Sequence, residues 1–195
     1  MLKEKLKHHH IILASGSPRR RKFFEELGIE FEVRLKPVEE VYPTNLEAEA
    51  IARYLAILKA GAFDGQLHPN DILITSDTIV WHNGHSLSKP KDLNEACSLL
   101  QKLSGDTHKV ITAVCFTTAS GQHTLHDTTE VTFKSLSEEE INYYVSNFSP
   151  TDKAGAYGIQ EWIGLIGIDN IKGSYYNVMG LPTHLVYKTL MSMVG

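Results

Sequence analysis

The chain has 195 residues, 42% of them hydrophobic, enough for one generous domain or two small lobes around a proper core. Its 19 lysines and arginines against 23 acids leave a net charge of −4, which argues against a nucleic-acid partner, since such proteins are broadly basic. Two cysteines, Cys97 and Cys115, have neither metal-site spacing nor the number for a disulfide framework, and no apolar run reaches membrane-span length or forms a signal peptide, so we expect a cytoplasmic chain with no membrane partner.

Met1 to Lys7 is polar and lysine-rich and reads as a short helix or a frayed end, within an N-terminal extension over 1–10. His8, His9 and His10 point in different directions on a strand and read as a strand entry. The apolar run Ile11-Ile12-Leu13-Ala14 predicts a strand over 9–14. Ser15-Gly16-Ser17 then gives a tight turn with free backbone N–H groups. Pro18 suits the first position of a helix over 18–28 that ends at Gly28. Arg19, Arg20 and Arg21 ride its first turn, where the helix dipole favours anions. The segment is a phosphate cradle built on Ser15, Ser17, Arg19 and Arg20, or an ordinary strand–helix turn with a solvated basic start.

A short strand over 31–34 and a loop over 37–43 carrying Glu39 and Glu40 come next. Asn45 is expected to cap a helix over 46–63, where Leu46, Ala50, Ile51, Tyr54, Leu55 and Leu58 recur at helical spacing. Residues 72–80 read as a strong strand and Asn83-Gly84 as a hairpin turn. A helix starts at Asp92 or Asn94 and runs to about Leu103, closed by Ser104-Gly105. Two long strands, 108–119 and 123–134, are joined at Ser120-Gly121. Ser137 followed by Glu138, Glu139 and Glu140 predicts a capped helix to about Asn147. The stretch 153–180 reads as strands and loops, and Pro182 opens a terminal helix to about Met193. The alternation is that of an α/β molecule, and the two long antiparallel strands predict a mixed sheet.

Asp77, just beyond Ile72-Leu73-Ile74, stands where α/β sheets place ligands. It suits a divalent metal or a proton taken from water, or else shapes a turn. Glu40 beside Glu39 suits a hard cation such as Mg²⁺, or two solvated surface acids. Pro90 stiffens the backbone that aims Lys89 at a phosphate, and Ala60 and Gly61 leave room around Lys59. Either lysine alone reads equally well as solvated. Residues 152–160 alternate small side chains with one tyrosine and end in Gln160, whose amide offers both donor and acceptor to a base edge. Its small residues let backbone approach a ligand closely, or the stretch is a glycine-rich strand in a tightly packed sheet. No P-loop, GxGxxG fingerprint or GxSxG elbow is present.

Taken in order, LASGSPRR, SDTIV, KPKD, LSGDTH, DKAGAYGIQ and GSYYNVMGLP resemble the Maf family of nucleoside triphosphate pyrophosphatases over nearly the whole chain. The resemblance implies one catalytic domain over 11–195. Its expected fold is α/β and related to the inosine triphosphate pyrophosphatases, a mixed sheet with flanking helices and a cleft between two lobes. It implies hydrolysis of a nucleoside triphosphate to the monophosphate and pyrophosphate, with a divalent cation, Mg²⁺ or Mn²⁺, and a homodimer. The family's catalytic carboxylate falls on Asp77, its phosphate-binding arginines on Arg19 and Arg20, its second acid on Glu40 and its lysines on Lys59 and Lys89. In the branch acting on dTTP and UTP, base choice is associated with the positions of Arg19, Thr78 and Gln160, and the DKAGAYGIQ pattern sides this chain with that branch. Modified pyrimidine triphosphates are a further substrate class. Glu161 and Trp162 stand where glycines are common and imply a narrower base pocket; Thr75-Ser76 replaces Gly-Ala before the aspartate. The family's link to cell-division arrest implies a rival role, a nucleotide-sensing regulator without turnover.

Overall fold

In the computed structural model, which describes residues 1–194, helix α1 (Leu2–Leu6) leads into strand β1 (His10–Leu13), helix α2 (Pro18–Glu26) and the short β2 (Glu32–Val33). The chain continues through α3 (Glu49–Gly61), β3 (Asp71–His82), β4 (His85–Leu87), α4 (Leu93–Leu103), β5 (Thr107–Thr118), β6 (Gly121–Phe133) and α5 (Glu138–Phe148). Two 3-10 turns, Pro150–Asp152 and Ala154–Ala156, precede α6 (Trp162–Gly167), β7 (Ile168–Lys172), α7 (Tyr175–Val178) and α8 (Thr183–Met193).

Local chemistry explains most boundaries. Ser17 caps α2 by accepting the Arg20 N–H, with Pro18 in the first turn. Asp92 caps α4 through the Glu95 N–H at 2.8 Å. Ser137 and Glu140 form a reciprocal capping box on α5. Asn83 and Gly84 both take positive φ, 48° and 79°, as a tight hairpin between β3 and β4 requires.

Two expectations fail. Asn45 does not cap α3: a turn in which the Leu46 N–H donates to the Pro43 carbonyl delays the helix to Glu49, behind Ala48 at φ 44° with no side-chain cap. The stretch 153–180 is mostly helical turns, with β7 its only strand among the described residues. Gly155 does let backbone come close, but to Val80: a Cβ there would stand 2.9 Å from that side chain.

The sheet runs β2-β1-β3-β5-β6-β7, with β4 also on β3. β2, β1 and β3 are parallel, and the remaining pairs are antiparallel. Alternation along β1 sends Ile11 and Leu13 to one face and Ile12 to the other. On the first face α1, α2 and α8 pack, with Leu2, Leu6, Phe24, Val186 and Leu190 buried; on the second lies α3, with Ile51, Leu55 and Ala56. Residues 1–10 thus supply two core leucines and the first strand residue. A third cluster, around Val80, Val110, Leu100, Phe133 and Tyr144, forms a second lobe with α4, α5 and residues 156–163. Cys115 is fully buried, and Cys97 half-buried, its thiol 3.6 Å from Asn142 Oδ1.

The site follows from one irregularity. Along the same edge of β3, β1 pairs as far as Ile74 and β4 begins at Val80. Residues 75–79 have no strand partner on that edge among the described residues, and the cleft between the lobes opens there.

Candidate active site

Two adjoining cavities, about 340 and 370 Å³, share Ser17, Arg19, Arg20, Glu40, Lys59, Lys89 and Asp152 as lining. The first also contains Asp77, Thr78 and a mostly apolar end made by Leu55, Val80, Leu87, Val110, Tyr157 and Val178. The second contains Ser15, Gly16, Lys36 and Phe63.

At the floor, Lys59 from α3 bridges two carboxylates. Its Nζ is 2.8 Å from Glu40 Oε1 and makes a close ion pair with Asp77 Oδ1. Asp77 is 7% exposed, whereas the Glu40 side chain is 44% exposed on its loop. Burial raises the Asp77 carboxyl above its ordinary value against the pull of Lys59 and Arg20. Burial also pushes Glu40 up, but Lys59, Lys89 and Arg20 outweigh it and hold that group below its ordinary value. One acid is therefore tuned to take a proton and the other to stay ionised.

Arg20 is committed to the protein. Its Nε donates to Gly180 O at 2.8 Å, Nη1 to Ser76 O at 3.0 Å and more weakly to Ser15 Oγ at 3.4 Å, and Nη2 to Thr78 Oγ1 at 3.0 Å. The guanidinium sits on the unpaired edge of β3 and holds it in place. Arg19 is freer: its Nε donates to Met179 O at 3.2 Å, and a terminal nitrogen lies 3.9 Å from Asp152. Lys89 is exposed at the rim and makes no ion pair among the described residues. Ser15 and Ser17 accept hydrogen bonds that shape the turn: Ser15 Oγ from the Ser17 N–H at 3.3 Å, Ser17 Oγ from the Arg20 N–H at 3.5 Å.

Gln160 is not brought to the cavity. It is half-buried beyond the lining, its Nε2 lying 2.8 Å from where a Gly158 Cβ would stand. Glu161 and Trp162 do not line the cavity either: Glu161 pairs with Lys153 at 3.1 Å and accepts the Tyr144 hydroxyl, and Trp162 packs on Tyr143 with the ring planes tilted by 55°. Thr75, in place of glycine, donates to Ala56 O at 2.7 Å and fastens β3 to α3 without crowding Asp77. The lining residues missed by sequence reasoning as site members include Asp152, Lys153, Tyr157 and the Met179-Gly180 carbonyls. They lie inside or beside motifs already singled out, so the signal was present and only the side chain chosen from each motif differed.

No group of three or more His, Cys, Asp or Glu side chains able to hold a metal stands among the described residues. The donor set at the floor is two hard carboxylates, Glu40 and Asp77, gathered on one ammonium. That set fits Mg²⁺ or Mn²⁺ held by one or two carboxylates and completed by substrate phosphates and water, and does not fit a cation caged by protein alone.

A family model described as Maf-like protein matches residues 10–193. The chain is 57% identical to a dTTP/UTP pyrophosphatase of Flavobacterium johnsoniae over 194 residues, covering 100% of each chain. It is 51% identical to a protein of the same name from Phocaeicola vulgatus, covering 97% of this chain and 99% of that one. Among solved structures it is similar to the Ham1 protein of Staphylococcus aureus, with a TM-score of 0.56 and 17% identity, over 94% of this chain and 99% of that one. That likeness concerns the fold, and the fold agrees with the two-lobed α/β expectation.

Proposed function

Because this chain belongs to the Maf family, we propose that it is a nucleoside triphosphate pyrophosphatase that hydrolyses dTTP and UTP to the monophosphate and pyrophosphate. The observation that carries this reading is the buried Asp77 carboxylate, paired with Lys59, in a cavity that Arg19 and Lys89 line together with the apolar Val80, Val110 and Tyr157.

In this reading Asp77 accepts the proton of the water that attacks the α-phosphorus. Glu40, held ionised chiefly by Lys59, and Asp77 would hold the divalent cation. When bound, that cation neutralises phosphate charge and polarises the scissile anhydride. Lys59, which pairs with both carboxylates, would offset charge on the phosphates beside them. Arg19 and Lys89 take the charge of the leaving pyrophosphate, arginine through its planar fork. Arg20 keeps the strand edge and the 177–180 turn in register, and spends most of its donors doing so. The base packs in the apolar end against Val80, Val110 and Tyr157, with Thr78 at its edge. Gln160, the other residue expected to read the base, does not line this cavity. The active unit is expected to be a homodimer free in the cytoplasm; no described helix is long and apolar enough to cross a membrane.

The test is pyrophosphate release from dTTP, UTP, CTP, the purine triphosphates and modified pyrimidine triphosphates, with Mg²⁺ or Mn²⁺ added. Release from UTP and dTTP ahead of the others supports the reading. Tight nucleotide binding with no release favours the sensing role.

A further inference from the structure

A line of hydroxyls runs from the cavity into the core with its polarity fixed. Thr78 and Thr112 face each other across β3 and β5, their Oγ1 atoms 2.9 Å apart, a pair in which either one is able to donate. The next contact settles the matter: Thr112 Oγ1 lies 2.9 Å from the Asn177 carbonyl, which only accepts. Thr112 has one proton and gives it to Asn177, so Thr78 must give its own proton to Thr112. Arg20 Nη2, which only donates, meets Thr78 Oγ1 at 3.0 Å and agrees with that sense. Thr78 therefore has no proton left for a ligand. It keeps one lone pair, on a residue that lines the cavity.

Thr112 and Asn177 are both 0% exposed, so no water exchanges the order of this chain. Asn177 is itself fixed, its Nδ2 donating at 3.0 Å to both Val110 O and Thr129 Oγ1. Its carbonyl also accepts the Gly180 N–H at 3.0 Å, which anchors the turn carrying the two carbonyls that receive Arg19 and Arg20.

Resting on the pyrophosphatase reading above, we propose that Thr112 and Asn177 are positioning residues. Through a one-way relay they make Thr78 an obligatory acceptor, and this selects pyrimidines that present an imide N–H, uracil and thymine, over cytosine, whose ring nitrogen at that place is a bare acceptor. Selection here is by an unfavourable meeting of two acceptors as much as by the favourable bond.

The experiment measures kcat/KM for UTP and CTP, which differ only at that base edge, in wild type, Thr112→Val and Thr112→Ser. Valine keeps the shape and removes the acceptor that fixes Thr78, whose hydroxyl then turns to donate. The UTP/CTP ratio is expected to fall by about 3- to 10-fold, while serine, which restores the relay, keeps the wild-type ratio. A merely structural loss lowers both substrates together. A wild type that hydrolyses UTP, with a ratio unmoved by Thr112→Val or moved as far by Thr112→Ser, overturns the relay and leaves the function standing. A wild type that releases pyrophosphate from no triphosphate overturns both. Should Thr112→Val not fold, hydroxyl-proton NMR of the wild-type protein decides. A slowly exchanging Thr112 hydroxyl proton coupled to the Asn177 carbonyl carbon is expected, and one directed at Thr78 refutes the relay.

Discussion

Asp77 and Glu40 share one ammonium, yet burial and charge move them in opposite directions. The buried member is the one suited to act as base. Asp77→Asn keeps its size but removes its basicity and its charge, so turnover should fall by roughly 10²–10⁴-fold, measured as pyrophosphate release from UTP with the melting temperature as control. The base works deprotonated, so the rate drops as pH falls through its pKa. Burial raises Asp77 in the metal-free chain, whereas a cation held by the same carboxylate would lower it, so the acid limb of kcat/KM should move to lower pH as Mg²⁺ is raised. A limb that does not move with Mg²⁺ removes Asp77 from the role. Arg20 is a different kind of residue: with its donors engaged on backbone and Thr78, Arg20→Lys is expected to lower thermal stability as well as activity, because a single ammonium does not replace a fork that meets Gly180, Ser76 and Thr78 together.

Elements defined by short-range chemistry were readable in the amino acids. Ser137 with Glu140 at the third helical position gave the start of α5, and Asn83-Gly84 the hairpin, since each device is complete within a few residues. Ser137→Ala should therefore cost about 1 kcal/mol, a melting shift of about 2–4 °C for a chain of this size, with activity unchanged. The stretch after Lys153 was not readable in this way, because its glycines answer to close approaches that residue type alone does not specify, one of them to a distant strand. Gly155 yields to Val80 from β3, and at Gly164 a Cβ would stand 1.8 Å from the Ile159 carbonyl oxygen, so α6 can fold back on 159 only without a side chain there. Gly164→Ala should destabilise by about 3 kcal/mol or more, far beyond the effect of Ser137→Ala in the same thermal scan. The start of α3 failed for the converse reason: Asn45 has the right chemistry for a cap, but the turn after Pro43 already occupies that stretch of chain.

Across the whole molecule, the site was legible as a set of motifs and not as a geometry. Asp77, Glu40, Lys59, Arg19, Arg20, Thr78 and Lys89 line one cavity and Gln160 lies outside that lining; Asn177 falls inside a motif, but Thr112 carried no sequence signal, one threonine in a strand being like any other. The second lobe also carries a titration that bears on the stability of the entire chain. His108 is 1% exposed, with Nε2 at 2.7 Å from the Tyr157 hydroxyl and Nδ1 unpartnered, and burial lowers it from 6.5 to about 3. The unfolded chain takes up this proton near 6.5 and the folded chain only near 3, so stability is lost as pH falls through that window, by at most about 5 kcal/mol. Urea unfolding between pH 7 and 4 should show this slope, and His108→Gln should flatten it. A slope identical in the variant assigns the acid sensitivity elsewhere.

The interval of β3 that neither β1 nor β4 covers has a consequence beyond admitting a nucleotide. Bare strand backbone is also a docking rail for any foreign extended peptide, another copy of this chain included. The guanidinium resting on the Ser76 carbonyl blocks that rail without filling the hollow. The same side chain that steadies the pocket is thus expected to add to the burial of Thr75 and Ser76 in keeping a neighbour's strand off this edge. Loss of Arg20 should accordingly show itself as self-association at concentrations where the parent chain keeps its native assembly.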